Sequence, residues 1–168
     1  MKRKIFVIPF IAAPFVFIGS SFVHATILSY DFNVEFSEAS EPVGTPPWLT
    51  ATVSDEIDGE VTLTLNSSGL EGVEHVKAWY FNLNPLLDAH TVAYPTDGSS
   101  SFTTDTTDAA WTLIGHANDS WKADGDNGFY DFVVNFADAE GDGRFDKDEL
   151  FSITFYSPTL SAYDFNFG

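Results

Sequence analysis

Apolar and polar residues alternate along most of the chain, which is the period-two pattern of half-buried β-strands. Tyr30, Phe32 and Val34 take every second position in the first such segment and are predicted to share one face. Segment 75–83 is apolar on both faces, which predicts a central strand. Seven segments are predicted strands: 30–36, 49–54, 61–65, 75–83, 129–136, 150–156 and 162–167.

The connections between these segments favour an antiparallel arrangement. Asp58-Gly59 separates the second and third strands and is a typical hairpin turn. The Ser/Thr/Asp-rich residues 97–108 predict an exposed loop with one short strand around Phe102. Only a short helical turn near residues 86–88 interrupts the strands. The chain is therefore predicted to be all-β, an antiparallel β-sandwich of jelly-roll-like form, with a closed barrel as the alternative.

The first 25 residues differ in character from the rest. A basic start at Lys2, Arg3 and Lys4 precedes an apolar run and the small-residue sequence Val-His-Ala ending at Ala25. This order predicts a bacterial secretory signal peptide over 1–25, because the apolar run is too short for a membrane span. The remaining residues, 26–168, are predicted to form a single domain that is secreted to the extracellular space or cell surface, without a stable membrane span.

The net charge of the mature part limits the classes of molecule that the protein can be expected to bind. The mature part keeps four basic residues against 25 acidic ones, a formal charge of −21. Such a surface repels phosphate backbones, which excludes nucleic acid as an expected partner. The chain has no cysteine, so a secreted domain of this kind depends on its core, on bound metal, or on both.

The densest acidic stretch, residues 138–149, has the spacing of a calcium-binding loop. Such loops have side-chain oxygens at the first, third, fifth and ninth positions and a backbone carbonyl ligand at the seventh. They also have glycine at the sixth position and glutamate at the twelfth. Phe145 stands at the eighth position, where an inward apolar residue is expected. Strands are predicted on both sides, so the loop would join two strands without EF-hand helices. The predicted calcium ligands are Asp138, Glu140, Asp142, Arg144 (through its carbonyl), Asp146 and Glu149.

A second, weaker cluster lies just before the strand at 129–136. It has two glycines among oxygen-bearing side chains but no acid in the twelfth position. It is either a second metal site or a polar turn that opens the strand, and ligands that are all oxygen favour calcium over zinc or copper. Its candidate ligands are Asp124, Asp126, Asn127 and Asp131.

Four blocks of the mature chain carry a resemblance to known proteins. They are PWLTATVSD, VTLTLNSSGLEGVEHVKAWYFNLNP, WKADGDNGFYDFVVNF and GRFDKDELFSITFYSPTLSAYDFNF. Together they resemble a family of uncharacterised secreted bacterial β-domains that usually carry a PEP-CTERM sorting signal. The resemblance implies export and a surface or extracellular-matrix setting, and it supplies no established biochemical activity. The residues before Gly168 depart from the family pattern, because they contain no Pro-Glu-Pro motif, apolar helix or basic cluster.

The other side chains that could act in catalysis do not form a pattern that favours an enzyme. No nucleophile motif accompanies the scattered histidines, and no acidic pair is singled out for glycoside hydrolysis. Trp79 is predicted to lie in the core, whereas Trp111 and Trp121 stand in polar contexts and could stack on sugars. The leading hypothesis is a calcium-binding structural or adhesive protein whose partner is an extracellular polysaccharide or matrix protein. A carbohydrate-binding module is the alternative, and a hydrolase comes third.

Overall fold

The structure, a computed structural model, describes residues 25–34, 40–95, 111–115, 121–123, 128–138 and 143–165. The predicted signal peptide, apart from Ala25, and the loop at 97–108 lie outside these residues. The strands are β1 (Ile27–Phe32), β2 (Leu49–Ile57), β3 (Glu60–Asn66), β4 (Ala78–Phe81), β5 (Trp111–Gly115), β6 (Phe132–Phe136) and β7 (Leu150–Tyr156), and two short 3-10 helices span Ala89–Thr91 and Ala162–Phe165.

The strands form two antiparallel sheets. The larger sheet has the order β1-β2-β3-β7, and the smaller has the order β4-β6-β5. Strands β2 and β3 form the predicted hairpin, with Gly59 at a φ of 77° in its turn. The prediction of an all-β fold with antiparallel sheets is confirmed. The finer assignments, a jelly-roll-like sandwich and a calcium-type loop, stay predictions.

Aromatic side chains from both sheets meet in one core. Phe155 of β7 lies 5.7 Å from Phe81 of β4 and 5.3 Å from Phe132 of β6, measured between ring centroids. Phe151 of β7 contacts Phe136 of β6 in the same way at 5.2 Å. These edge-on contacts between rings add to the free energy gained by burying their apolar area. They hold the sheets together between β7 and the strands of the smaller sheet.

The alternation within β2, β3 and β7 has the predicted outcome. In β3 and β7 every second residue is buried in the core, as Val61, Leu63 and Leu65 illustrate for β3, whereas in β2 only Ala51 and Val53 are buried. The opposite face pairs hydroxyl groups across the strands. Thr64 of β3 lies 2.9 Å from Ser152 of β7, oxygen to oxygen. One face of the larger sheet is therefore apolar and inward, and the other is polar.

Three local predictions are wrong. Segment 75–83 contributes a strand, β4, but β4 stands at the end of the smaller sheet and β6 is central. Residues 162–165 form a 3-10 helix instead of a strand, because Asp55 Oδ2 accepts the Ala162 N–H and Asp164 Oδ2 accepts the Ser161 N–H. In the first segment, Val34 is 73% exposed and not inward.

Among the residues that the structure describes, no helix has both the length and the apolar character needed to cross a membrane.

Candidate metal-binding loop

The predicted calcium loop joins β6 to β7, as its flanking strands required. Glu140 and Asp142 lie outside the described residues. The structure describes the first position, Asp138, and the second half of the loop from Gly143 onward.

The second half of the loop is a compact turn anchored in the core. Gly143 adopts a φ of 110°, a conformation that favours glycine. Phe145 is fully buried and stacks on Phe136 at 4.7 Å between centroids. Its carbonyl oxygen accepts a 2.8 Å hydrogen bond from the Val76 N–H, which forms an isolated bridge between the two segments. The prediction that the eighth position packs inward is confirmed.

Glu149, the expected bidentate ligand, is the one buried acidic side chain among the described residues. Its Oε2 atom accepts a 2.7 Å hydrogen bond from the backbone N–H of Asp146, the ninth position of the loop. A carboxylate held by a backbone donor within its own turn has few ways to rotate. Glu149 is thus oriented within the turn where the calcium pattern places it.

Ser67, the residue that directly follows β3, fixes this turn through hydrogen bonds. Its hydroxyl accepts the Glu149 N–H at 3.0 Å and donates to the carbonyl oxygen of Asp146. Its own backbone N–H donates to the Glu149 carbonyl oxygen at 3.0 Å. The Ser67 side chain is completely buried. Nothing in the local sequence marks Ser67 for this role, because its partners are about eighty residues away.

Asp138, the first position, lies at the surface, and basic side chains contact it. Its carboxylate contacts His75 Nε2 at 2.9 Å and Lys77 Nζ at 3.0 Å. The hydrogen bond from His75, followed by that from Lys77, lowers the pKa of the Asp138 carboxyl below its ordinary value. Arg144 also reaches this residue, and its Nη2 donates to the Asp138 carbonyl oxygen at 2.8 Å. Asp138 is therefore an ionised carboxylate whose oxygens already have partners.

These contacts define what the described part of the loop can do. Within the residues that the structure describes, no three His, Cys, Asp or Glu side chains come together in a way that could hold a metal ion. A calcium site here would need ligands from the residues between Asp138 and Gly143 in addition to Glu149.

The second cluster is described only at Asp131. The Asp131 carboxylate accepts the Leu83 N–H at 3.0 Å, and its own backbone N–H donates to Asn82 Oδ1. Asp131 thereby ties the start of β6 to the end of β4. Asp124, Asp126 and Asn127 lie outside the described residues, so the prediction of a second metal site stays a prediction.

The tryptophans with described side chains are not exposed. Trp48 and Trp79 are buried, which confirms the core position predicted for Trp79. Trp121 is half-buried, and its indole nitrogen is inaccessible to solvent. The side chain of Trp111 lies outside the described residues. A flat sugar-stacking face, the basis of the carbohydrate-binding alternative, gains no support from Trp121.

No known protein family matches this chain, and neither does any curated protein or solved structure.

Proposed function

We propose that the protein is a secreted bacterial β-sandwich protein with a structural or adhesive role at the cell surface or in the extracellular matrix, and that calcium bound by the loop at 138–149 stabilises it. The position of Glu149 carries this proposal. Its carboxylate is oriented by the Asp146 N–H within a turn clamped to β3. A fixed twelfth-position glutamate is what a loop of this spacing needs to bind calcium with two oxygens.

Electrostatic repulsion gives calcium a role in stability. The loop holds six carboxylates within twelve residues, in a chain of strongly negative charge. A divalent cation offsets this repulsion and binds the folded state better than the unfolded chain, where the ligands are dispersed. His75 and Lys77 compete with the ion for the Asp138 carboxylate, so we expect weak binding, with a Kd on the order of 10⁻⁴–10⁻³ M.

The proposed adhesive role rests on the acidic surface and on the resemblance to exported β-domains. Calcium can bridge carboxylates of the protein to those of an extracellular polysaccharide or a matrix protein. Partners of this class need no deep pocket.

Thermal melts with chelator, calcium or magnesium test the calcium proposal. At a tenfold excess of calcium over its Kd, the linkage adds about 1.4 kcal/mol, which raises the melting temperature by a few degrees. Magnesium should do less, because it keeps its bound waters and demands a tighter cage. Glu149→Gln should remove most of the calcium response.

Asp148→Asn is the matched control for that variant. It makes the same change of charge one residue away, at an exposed position with a φ of 64° that asparagine tolerates. It should respond to calcium like the parent. Equal melting temperatures in calcium and in chelator, or equal responses of Glu149→Gln and Asp148→Asn, would refute the calcium proposal.

Export has its own test. When the gene is expressed in a bacterial host, the protein recovered outside the cytoplasm should begin at Thr26 by mass spectrometry. Exported material that retains Met1 to Ala25 would contradict the predicted cleavage.

A further inference from the structure

Asp55 of β2 joins three parts of the fold through one carboxylate. Its Oδ1 atom accepts a hydrogen bond from the N–H of Thr26, the residue directly before β1, at 2.5 Å. Its Oδ2 atom accepts the Ala162 N–H at 2.9 Å, at the start of the second 3-10 helix. These partners are 29 and 107 residues away in the sequence. Asp55 therefore ties the beginning of β1 to β2 and to that helix.

The backbone holds Thr26 beside this carboxylate. The Thr26 carbonyl oxygen accepts the Asp55 N–H at 3.2 Å, which continues the pairing of β1 with β2 by one residue beyond Ile27 and Ser54. The pairing of β2 with β3 shifts register between Ser54 and Ile57, and such bulges redirect side chains from the regular alternation. Thr26 and Asp55 are thus joined by two hydrogen bonds, one through the backbone and one through the side chain.

The Asp55 carboxylate is negatively charged and has no basic side chain as a partner in the described part of the chain, where both ion pairs involve Asp138. Asp55 and Thr26 are both half-buried. Thr26 is also the residue that the predicted cleavage after Ala25 makes the first of the mature protein. Cleavage converts its amide nitrogen into an α-amino group, which is positively charged below an ordinary pKa of about 7.7–8.0.

We propose that removal of residues 1–25 completes the fold, because the new α-amino group of Thr26 forms an ion pair with the Asp55 carboxylate that the precursor lacks. Hydrolysis breaks the bond between the Ala25 carbonyl carbon and the Thr26 nitrogen. The carbon takes the hydroxyl group of a water molecule and the nitrogen takes a proton, and at neutral pH the proton of the new acid also moves to the amine. The nitrogen gains a charge without leaving Asp55. This proposal rests on the predicted cleavage and is independent of calcium.

The ion pair should stabilise the processed protein more than the amide hydrogen bond stabilises the precursor. A hydrogen bond with a charged partner is roughly twice as strong as a neutral one. Surface ion pairs usually contribute little, partly because two long side chains must be ordered. Here the cation is a backbone atom that β2 already holds in place, so this cost is small.

The protein exported from a bacterial host provides the test, because mass spectrometry reads its first residue. The matched control has a second threonine inserted between Ala25 and Thr26, so that the same cleavage leaves a chain that begins Thr-Thr. Both processed proteins have the same formal charge and the same terminal residue, but in the control the α-amino group is one residue away from Asp55. Asp55→Asn is made in both, which gives a double-mutant cycle. Unfolding by denaturant is measured at pH 7 in chelator.

We expect the extra threonine to raise the unfolding equilibrium constant about 3–10-fold when Asp55 is present, the effect of replacing a charged hydrogen bond by a neutral one. In the Asp55→Asn background the same insertion should change this constant less than about twofold, because the α-amino group then has no carboxylate to pair with.

If Asp55→Asn does not fold, a change of pH replaces it. The carboxylate should raise the pKa of the folded α-amino group above its unfolded value. The stabilisation is then fully present below the unfolded pKa and is lost as the pH rises through the folded one. The difference between the two processed proteins should be present at pH 7 and absent by about pH 10.5. All other titrating groups are common to both proteins and cancel in the comparison.

The outcomes separate this proposal from the predicted cleavage. Exported protein that begins at a residue other than Thr26 would overturn the cleavage and the ion pair together. Protein that begins at Thr26 but is no more stable than the Thr-Thr control would overturn the ion pair alone. So would a loss of stability that persists in Asp55→Asn or at high pH.

Discussion

Ser67→Ala tests whether the turn that carries Glu149 depends on one buried hydroxyl group. The substitution removes a single oxygen atom and leaves the backbone free to keep its conformation. It deprives the Glu149 N–H of its acceptor at 3.0 Å and the Asp146 carbonyl oxygen of its donor. Ser67 is completely buried and Glu149 is 9% exposed, so water cannot easily replace the lost partner of the Glu149 N–H.

The lost hydrogen bonds and their burial determine how much stability Ser67→Ala should lose. A buried N–H left unpaired costs about 1–3 kcal/mol, and the lost bond to the more exposed Asp146 adds about 0.5–1.5 kcal/mol. We therefore expect Ser67→Ala to lower the free energy of unfolding by about 2–4 kcal/mol. For a domain of about 150 residues, this lowers the melting temperature by roughly 4–16 °C.

Denaturant unfolding followed by circular dichroism measures this loss, with Ser152→Ala as the control. Ser152 also hydrogen-bonds through its hydroxyl, to Thr64, but on the half-buried outer face of the larger sheet. Its removal should cost at most about 1 kcal/mol. If Ser67→Ala costs no more than Ser152→Ala, the hydroxyl does not hold the turn. The calcium response of Ser67→Ala should also fall, because Glu149 loses its support.

Two further predictions concern Asp138 and the hairpin. Because His75 and Lys77 lower the Asp138 pKa, this carboxyl stabilises the fold above its unfolded-state pKa, and the contribution disappears as the pH falls through the lower folded value. A carbon-13 titration without calcium should show the Asp138 pKa rising toward its ordinary value in His75→Gln, and an unchanged pKa would contradict the assigned contact. Gly59→Ala should destabilise the fold by at least about 1 kcal/mol more than Gly72→Ala, as measured by denaturant unfolding. Both glycines have positive φ, but only at Gly59 would an added Cβ meet the backbone, 2.8 Å from the Ser157 carbonyl oxygen. Equal losses of unfolding free energy in the two variants would show that the structure relaxes to relieve this close contact.

The sequence by itself determined the β2–β3 hairpin and β7. Alternation specifies which face of a strand is buried, and Asp58-Gly59 specifies the turn, so neighbouring residues carry the needed information. The all-β class follows from the same alternation, and the inward position of Phe145 follows from its place at the eighth position of the calcium-loop pattern. The sequence also located the candidate calcium loop, because the spacing of its oxygens lies within twelve consecutive residues.

The tertiary structure decided which secondary structure each of two identical short sequences adopts. Tyr-Asp-Phe-Asn occurs at residues 30–33 and again at 163–166. The first copy enters β1 because β2 offers it a hydrogen-bonding edge. Residues 162–165 form a 3-10 helix, because Asp55 accepts the Ala162 N–H and Asp164 folds back on Ser161.

Contacts between distant residues decided the surroundings of the candidate site in the same way. His75 and Lys77 reach Asp138 from more than sixty residues away, and Ser67 reaches Glu149 from 82. Alternation is a property of neighbouring residues, so it holds no information about which distant side chain will supply the missing hydrogen bond.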